Sequence, residues 1–193
     1  TANYRFNLGE DHAFNVMLGQ EAVNYHSEGF NVYTKGQTSD LLTNVSSGTR
    51  ASRWADSSSD YSYMSFFMRG EYNYKELYYA DFSLRTDASS RFGKEHRWGT
   101  FWSLGFMWNV KQTNWLKDMN WLSNAQIAVS TGTSGNSEIP NYYHLALVSG
   151  GANYDDVAGF YPAQSGNEDL GWESTWASNF ALRLGFLDRI NFS

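Results

Sequence analysis

No cysteine occurs among these 193 residues. That excludes a disulfide framework, thiol catalysis and zinc sites built on thiolates. An oxidising bacterial envelope is compatible with the absence. Proline is scarce, at 2 residues. Positive charge is in deficit: 14 Lys and Arg stand against 20 Asp and Glu, a net charge of −6. Nucleic-acid binding calls for basic patches, so the balance argues against such a partner. Long apolar runs are missing too, and mean hydropathy is −0.53. A membrane helix needs roughly 18 or more apolar residues in a row. A membrane β-barrel passes that test, because its strands alternate instead of running apolar.

The usual marks of catalysis are also lacking. The histidines are His12, His26, His96 and His144, and none has a second histidine at metal-ligand spacing. No nucleophile elbow, P-loop or dinucleotide fingerprint occurs. Thr131 to Gly135 resembles a Gly-rich loop but lacks the lysine and the following helix. The pairs Asp155-Asp156 and Glu168-Asp169 offer oxygens that Ca²⁺ accepts, but acidic loop pairs are ordinarily just solvated. No catalytic residue, cofactor or metal site is therefore expected, and the chain reads as non-enzymatic.

Aromatic residues are plentiful, with 8 Trp, 13 Tyr and 13 Phe. Such an excess fits aromatic girdles at lipid–water boundaries. The stretch from Tyr78 to Val110 shows the underlying pattern. Tyr78, Ala80, Phe82 and Leu84 share one parity, and Tyr79, Asp81, Ser83 and Arg85 the other. After a charged loop, Trp102, Leu104, Phe106 and Trp108 alternate with Ser103, Gly105, Met107 and Asn109. Side chains on a strand point alternately to two faces, so each segment has an oily face and a polar or small one.

Eight strand candidates follow in order, over 2–8, 13–23, 61–72, 77–86, 98–110, 123–132, 172–186 and from 189 onward. Tight turns at 9–12, 73–76 and Leu187-Asp188 alternate with long or medium loops at 24–60, 87–97 and 133–171, and with a compact link at 111–122. In that link, Trp115, Leu116, Met119 and Leu122 recur at helical spacing, with Thr113 as a cap. Alternating short and long connections predict an all-β fold, a transmembrane antiparallel β-barrel with short turns on one side and longer loops on the other. The expected lipid face includes Phe6, Val16, Met68, Phe82, Leu104, Val129 and Leu182. The opposite parity carries Arg5, Asn15, Arg69, Asp81, Arg85, Asn109 and Arg183. Thr1 opens directly on an alternating run and Ser193 closes inside another, so residues 1–193 read as part of a longer protein.

Several segments resemble the SusC/RagA family of TonB-linked outer-membrane transporters. They are Phe67-Met68-Arg69-Gly70-Glu71-Tyr72-Asn73-Tyr74-Lys75, then Ser83-Leu84-Arg85-Thr86-Asp87-Ala88-Ser89-Ser90-Arg91-Phe92-Gly93, then Arg97-Trp98-Gly99-Thr100-Phe101. Ser130 to Asn136 and Asn167 to Glu173 are similar to two further family segments, in the same order and spacing. Ala88, Trp102, Thr131, Glu168 and Gly171 depart from the family's usual residues.

The resemblance implies about eight meander strands from the middle of a 22-stranded, plugged barrel in the bacterial outer membrane. The plug domain, the TonB box and the C-terminal strands would lie outside residues 1–193. It implies a nutrient importer for glycans, oligosaccharides or peptides, of the Bacteroidetes type. Its partners would be the rest of the transporter, a SusD-like surface lipoprotein, the TonB complex and membrane lipid. On this reading the chain supplies barrel wall and extracellular loops. Arg69, Asp81, Arg85 and Arg183 become candidates for contact with plug or substrate, or for bonds among themselves. Trp54, Tyr142, Tyr143 and Tyr154 become candidates for stacking on sugar rings or packing on the lipoprotein. Two alternatives stand beside it: a complete eight-stranded outer-membrane barrel, and a soluble carbohydrate-binding β-sandwich.

Overall fold

A computed structural model describes residues 1–187 and 189–192; Asp188, half of the expected Leu187-Asp188 turn, and Ser193 lie outside the described residues. Among the described residues ten strands occur in chain order, of which the first five are β1 (Ala2–Leu8), β2 (His12–Lys35), β3 (Arg50–Tyr74), β4 (Tyr78–Ser89) and β5 (Trp98–Asn109). The rest are β6 (Leu122–Asn136), β7 (Leu147–Tyr154), β8 (Val157–Gln164), β9 (Glu173–Phe186) and β10 (Ile190–Phe192). Eight of them make one antiparallel sheet in the order β1-β2-β3-β4-β5-β6-β9-β10, and β7 pairs with β8 alone.

Both sheets are open. The expected barrel, and the reading of the chain as a central fragment of barrel wall, are corrected accordingly. A sheet closes only when its first and last strands hydrogen-bond at a fixed stagger. Among the described residues β1 pairs only with β2, and β10, of three residues, pairs only with β9. The alternation of short and long connections arises in any hairpin meander, so it carries no information about closure. The all-β class stands, while the barrel and membrane-spanning expectations do not. Among the described residues no helix is long and apolar enough to cross a membrane, which says nothing about strands. Two separate open sheets lie nearer to the two-sheet alternative than to a barrel wall.

The large sheet has two chemically distinct faces, set by the register. One row reads Phe6, Phe14, Tyr72, Ala80, Phe106, Val129 and Phe180 across seven strands. Its neighbour row on the other face reads Arg5, Asn15, Glu71, Asp81, Gly105, Ser130 and Asn179. Neighbouring rings pack on each other along the first, as Phe6 and Phe14 do at 4.8 Å and Phe14 and Tyr72 do at 4.8 Å. Pairs of this kind fix register, since a slip of one residue would exchange the faces.

Two long loops expected from composition are largely strand. Residues 24–35 of β2 and 50–60 of β3 continue the ladder well past the apolar zone. Their Ser, Asn and Gly content marks poor burial, yet the main-chain ladder and the stacked pair Tyr25–Tyr61, at 5.0 Å, hold them together. Likewise the 133–171 loop contains the β7–β8 hairpin. Its tip is Asp155-Asp156, both at positive φ (49° and 60°). A two-residue hairpin turn needs left-handed backbone at both central positions, and aspartate tolerates it. That geometry accounts for this acidic pair without a bound ion.

The compact link is not the amphipathic helix its spacing predicts. Val110–Gln112 forms a single 3-10 turn, followed by irregular turns. The Lys111 ammonium takes the place of helical hydrogen bonds, donating to the carbonyls of Leu116, Lys117 and Met119 at 3.0, 3.0 and 2.8 Å. Thr113 donates its hydroxyl to the Val110 carbonyl instead of capping a helix.

Candidate functional site

The most constrained part of the chain joins the 87–97 loop to the segments around 140 and 170. Phe92 is 1% exposed and lies 5.0 Å from the ring of Trp172. Trp172 also meets Phe101 edge-on at 5.3 Å, and its indole N–H donates to the Arg97 carbonyl at 2.8 Å. Gly93 sits beside this knot, its N–H donating to the Leu170 carbonyl. A Cβ at Gly93 would land on the Glu168 carbonyl, so the close approach of these backbones requires glycine.

Arg91 extends the knot. Its guanidinium lies 4.3 Å from the centre of the Tyr61 ring, a cation–π contact. Its Nε donates to Asn141 Oδ1 at 2.7 Å and a terminal nitrogen donates to the Ser137 carbonyl at 3.2 Å. Asn141 in turn donates to the Ser59 hydroxyl, and His144 Nδ1 meets the Arg91 carbonyl at 3.0 Å. A carbonyl only accepts, so that bond puts the proton on Nδ1 and leaves Nε2 free.

The sequence candidates divide into groups. Tyr142 belongs to this cluster: its hydroxyl accepts from the Asp60 N–H at 2.7 Å and lies 3.4 Å from the Asp60 carboxylate. Trp54, Tyr143 and Tyr154 are 70%, 51% and 86% exposed, and none makes a ring contact among the described residues. Arg69 and Asp81 line one groove of about 500 Å³ on the polar face, and Arg69 pairs with Glu71 at 2.9 Å. Arg183 stands opposite Gln126 in the β6–β9 ladder, apart from that groove.

Arg85 has a dense set of partners of its own. Its Nε faces both Asp87 oxygens at 2.7 and 2.9 Å. Its Nη2 donates to Ser65 at 2.8 Å, Tyr63 at 3.1 Å and Glu21 at 3.4 Å. Burial disfavours the charged guanidinium, but the bonds to Tyr63 and Asp87 outweigh it and raise its pKa. Arg85 is thus a charged tie between β2, β3 and β4. The bonds-among-themselves reading of the polar residues fits it, although its partners are Asp87, Ser65 and Tyr63 and not the other candidates. Sequence reasoning missed Arg91, Arg97, Asn141 and His144 as a group. They come together only through the loop fold, and the one local signal was Arg91 next to Phe92.

Asp60 also bonds His26 Nδ1 at 2.5 Å, and Glu28 lies 3.2 Å from His26 Nε2. The bond to Asp60 foremost raises the His26 pKa above its ordinary 6.5. A raised folded value means the added stability is fully present below the unfolded pKa and fades as pH rises through the folded one. Titration of the His26 imidazole by NMR should show a midpoint above 6.5, and Asp60→Asn should bring it down. An unchanged midpoint in that variant would refute the pairing.

No family model matches the chain. It is 33% identical over 182 residues to the TonB-dependent receptor SusC of Bacteroides thetaiotaomicron, covering 91% of this chain and 18% of that protein. It is 35% identical over 130 residues to the TonB-dependent receptor P39 of Formosa agariphila, covering 67% of this chain and 12% of the relative. In structure it is similar to the RagAB peptide transporter, with a TM-score of 0.89, 36% identity, and coverage of 98% of this chain and 21% of that one. The RagAB importer in its open-open state gives a TM-score of 0.86 at the same identity. The chain therefore spans about a fifth or less of the proteins it matches. These are transport proteins, which makes the chain non-enzymatic and places it in an outer-membrane context. By sequence and by fold, as an open β-sheet and not as a barrel fragment, the chain is linked to the SusC/RagA TonB-dependent transporters.

Proposed function

We propose that residues 1–193 are a non-catalytic recognition module of a TonB-dependent nutrient importer, with a peptide or oligosaccharide as cargo. Trp54, Tyr142, Tyr143 and Tyr154 present ring faces to cargo or to a SusD-like surface lipoprotein. Arg69, Asp81 and Arg183 on the polar face meet other parts of the same importer, a plug among them. Arg85 holds the strands that carry them. Coupling to the TonB complex runs through a part of the importer beyond these residues. The exposed apolar face calls for cover by outer-membrane partners.

The observation that carries the reading is the exposure of large aromatic side chains, Tyr154 beside the β7–β8 turn at 86% and Trp54 on the outer part of the β2–β3 ladder at 70%. An aromatic ring left in water on a paired strand adds little to folding, but suits an anchor in an interface. In the intact importer, Trp54→Ala and Tyr154→Ala together should weaken lipoprotein or cargo binding by about 30-fold or more. Calorimetric titration measures this, with thermal unfolding as the control for folding. An affinity within about twofold of the parent would remove the aromatic-anchor reading.

A further inference from the structure

A polar cavity of about 310 Å³ opens beside the loop cluster, lined among others by Tyr61, Arg91, Arg97, Asn141, Tyr142 and His144. We propose that this cavity is a carboxylate-binding subsite, with Arg97 and Arg91 as the paired cations.

Three observations support this. First, Arg91 is preset. Its ring contact with Tyr61 and its bonds to Asn141 and Ser137 fix the guanidinium plane, and no described protein group meets its Nη2. A guanidinium held in place loses little freedom on binding and offers its Nη2 protons to a carboxylate. Second, the Arg97 side chain makes no hydrogen bond or ion pair among the described residues, although its backbone carbonyl is engaged by Trp172. A free cation beside a fixed one repels it unless an anion joins them. Third, the acid lining the cavity, Asp60, is already engaged by His26 and by the Tyr142 hydroxyl, which leaves the two arginines without a counter-charge.

A singly charged, planar anion suits the site better than a phosphate. The chain carries a net charge of −6, which penalises a dianion more than a carboxylate. The ring of Tyr142 would face the uncharged remainder of the ligand. A carboxylate of this kind comes from a peptide terminus or acidic side chain, or from a uronic acid. The inference deepens the recognition role proposed above and rests on it for its biological setting.

The test uses the intact importer and two pairs of probes. N-acetyl-tetra-alanine is compared with its C-terminal amide, and trigalacturonate with galactotriose, by calorimetric titration. The acid of at least one pair should bind about tenfold more tightly than its neutral counterpart. Arg97→Gln should reduce that preference to about twofold or less without weakening the neutral probe. The peptide pair or the sugar pair responding identifies the source of the carboxylate. No preference for either acid would overturn the proposal, as would a preference that Arg97→Gln leaves intact. Trp54 and Tyr154 do not line the cavity. Loss of lipoprotein binding in their variants, or its persistence, therefore reports on the recognition role separately from this subsite.

Discussion

Phe92→Ala is expected to lower the local stability of the 87–97 and 167–172 segments by about 3–5 kcal/mol. Phe92 is 1% exposed and has a ring partner in Trp172, so the truncation removes buried surface and leaves a cavity. Gly93 and Glu168 hold their backbones in contact, which limits how far the cavity can collapse. Hydrogen exchange of the intact protein should show amide protection in both segments falling by roughly two to three powers of ten. The indole bond from Trp172 to the Arg97 carbonyl should loosen with them. Protection within about a factor of three of the parent would mean that the aromatic knot does not hold these loops.

Asp87→Ala should cost about 2–3 kcal/mol. Asp87 is 5% exposed and takes two bonds from Arg85, so its removal leaves the guanidinium beside Ser65, Tyr63 and Phe67 with only the longer ion pair to Glu21, at 3.4 Å. The Arg85 side chain keeps 40% exposure, which holds the cost below that of a fully buried pair broken on one side. The double variant Arg85→Met with Asp87→Leu should recover at least half of the loss, because the buried pair becomes apolar and only the half-exposed Glu21 loses a partner. Thermal unfolding of the single and double variants measures both. If the single variant changes stability by less than about 0.5 kcal/mol, the pair is solvated and not structural.

Local patterns were legible in the sequence. Alternation placed strands at 2–8, 77–86 and 98–110, where β1, β4 and β5 lie. Alternation is a property of one strand, however, and closure is a property of two edges. Nothing in the parity of Tyr4 or Phe192 says which strand lies beside it, so the barrel did not follow. The upper half of the β2–β3 hairpin was hidden for another reason. Ser57, Ser58 and Ser59 carry no apolar face, and main-chain pairing alone leaves no periodic trace. The helical spacing at 115–122 was overridden by the Lys111 ammonium, which satisfies three carbonyls from outside any helix.

The candidate site was legible in its parts and not in its assembly. Tyr142 stood out as a loop aromatic, but its partner Asp60 is 82 residues away. Arg91 and Asn141 are 50 residues apart. Their meeting depends on the Phe92–Trp172 knot, and no spacing rule reports a contact made by two loops folding over each other.

The unequal lengths of the strands have a mechanical consequence. β4 begins to pair with β3 only at Tyr63, so residues 24–35 and 50–62 form a two-stranded ribbon that projects past its neighbours. Twelve residues of strand reach about 40 Å. Such a ribbon behaves as a cantilever: a load on its tip produces the greatest bending moment at its root. The root is where Asp60 meets Tyr142 and His26, where Ser59 meets Asn141 and where Tyr61 lies under Arg91. Force applied at the far end of the hairpin is therefore delivered to the wall of the arginine-lined cavity.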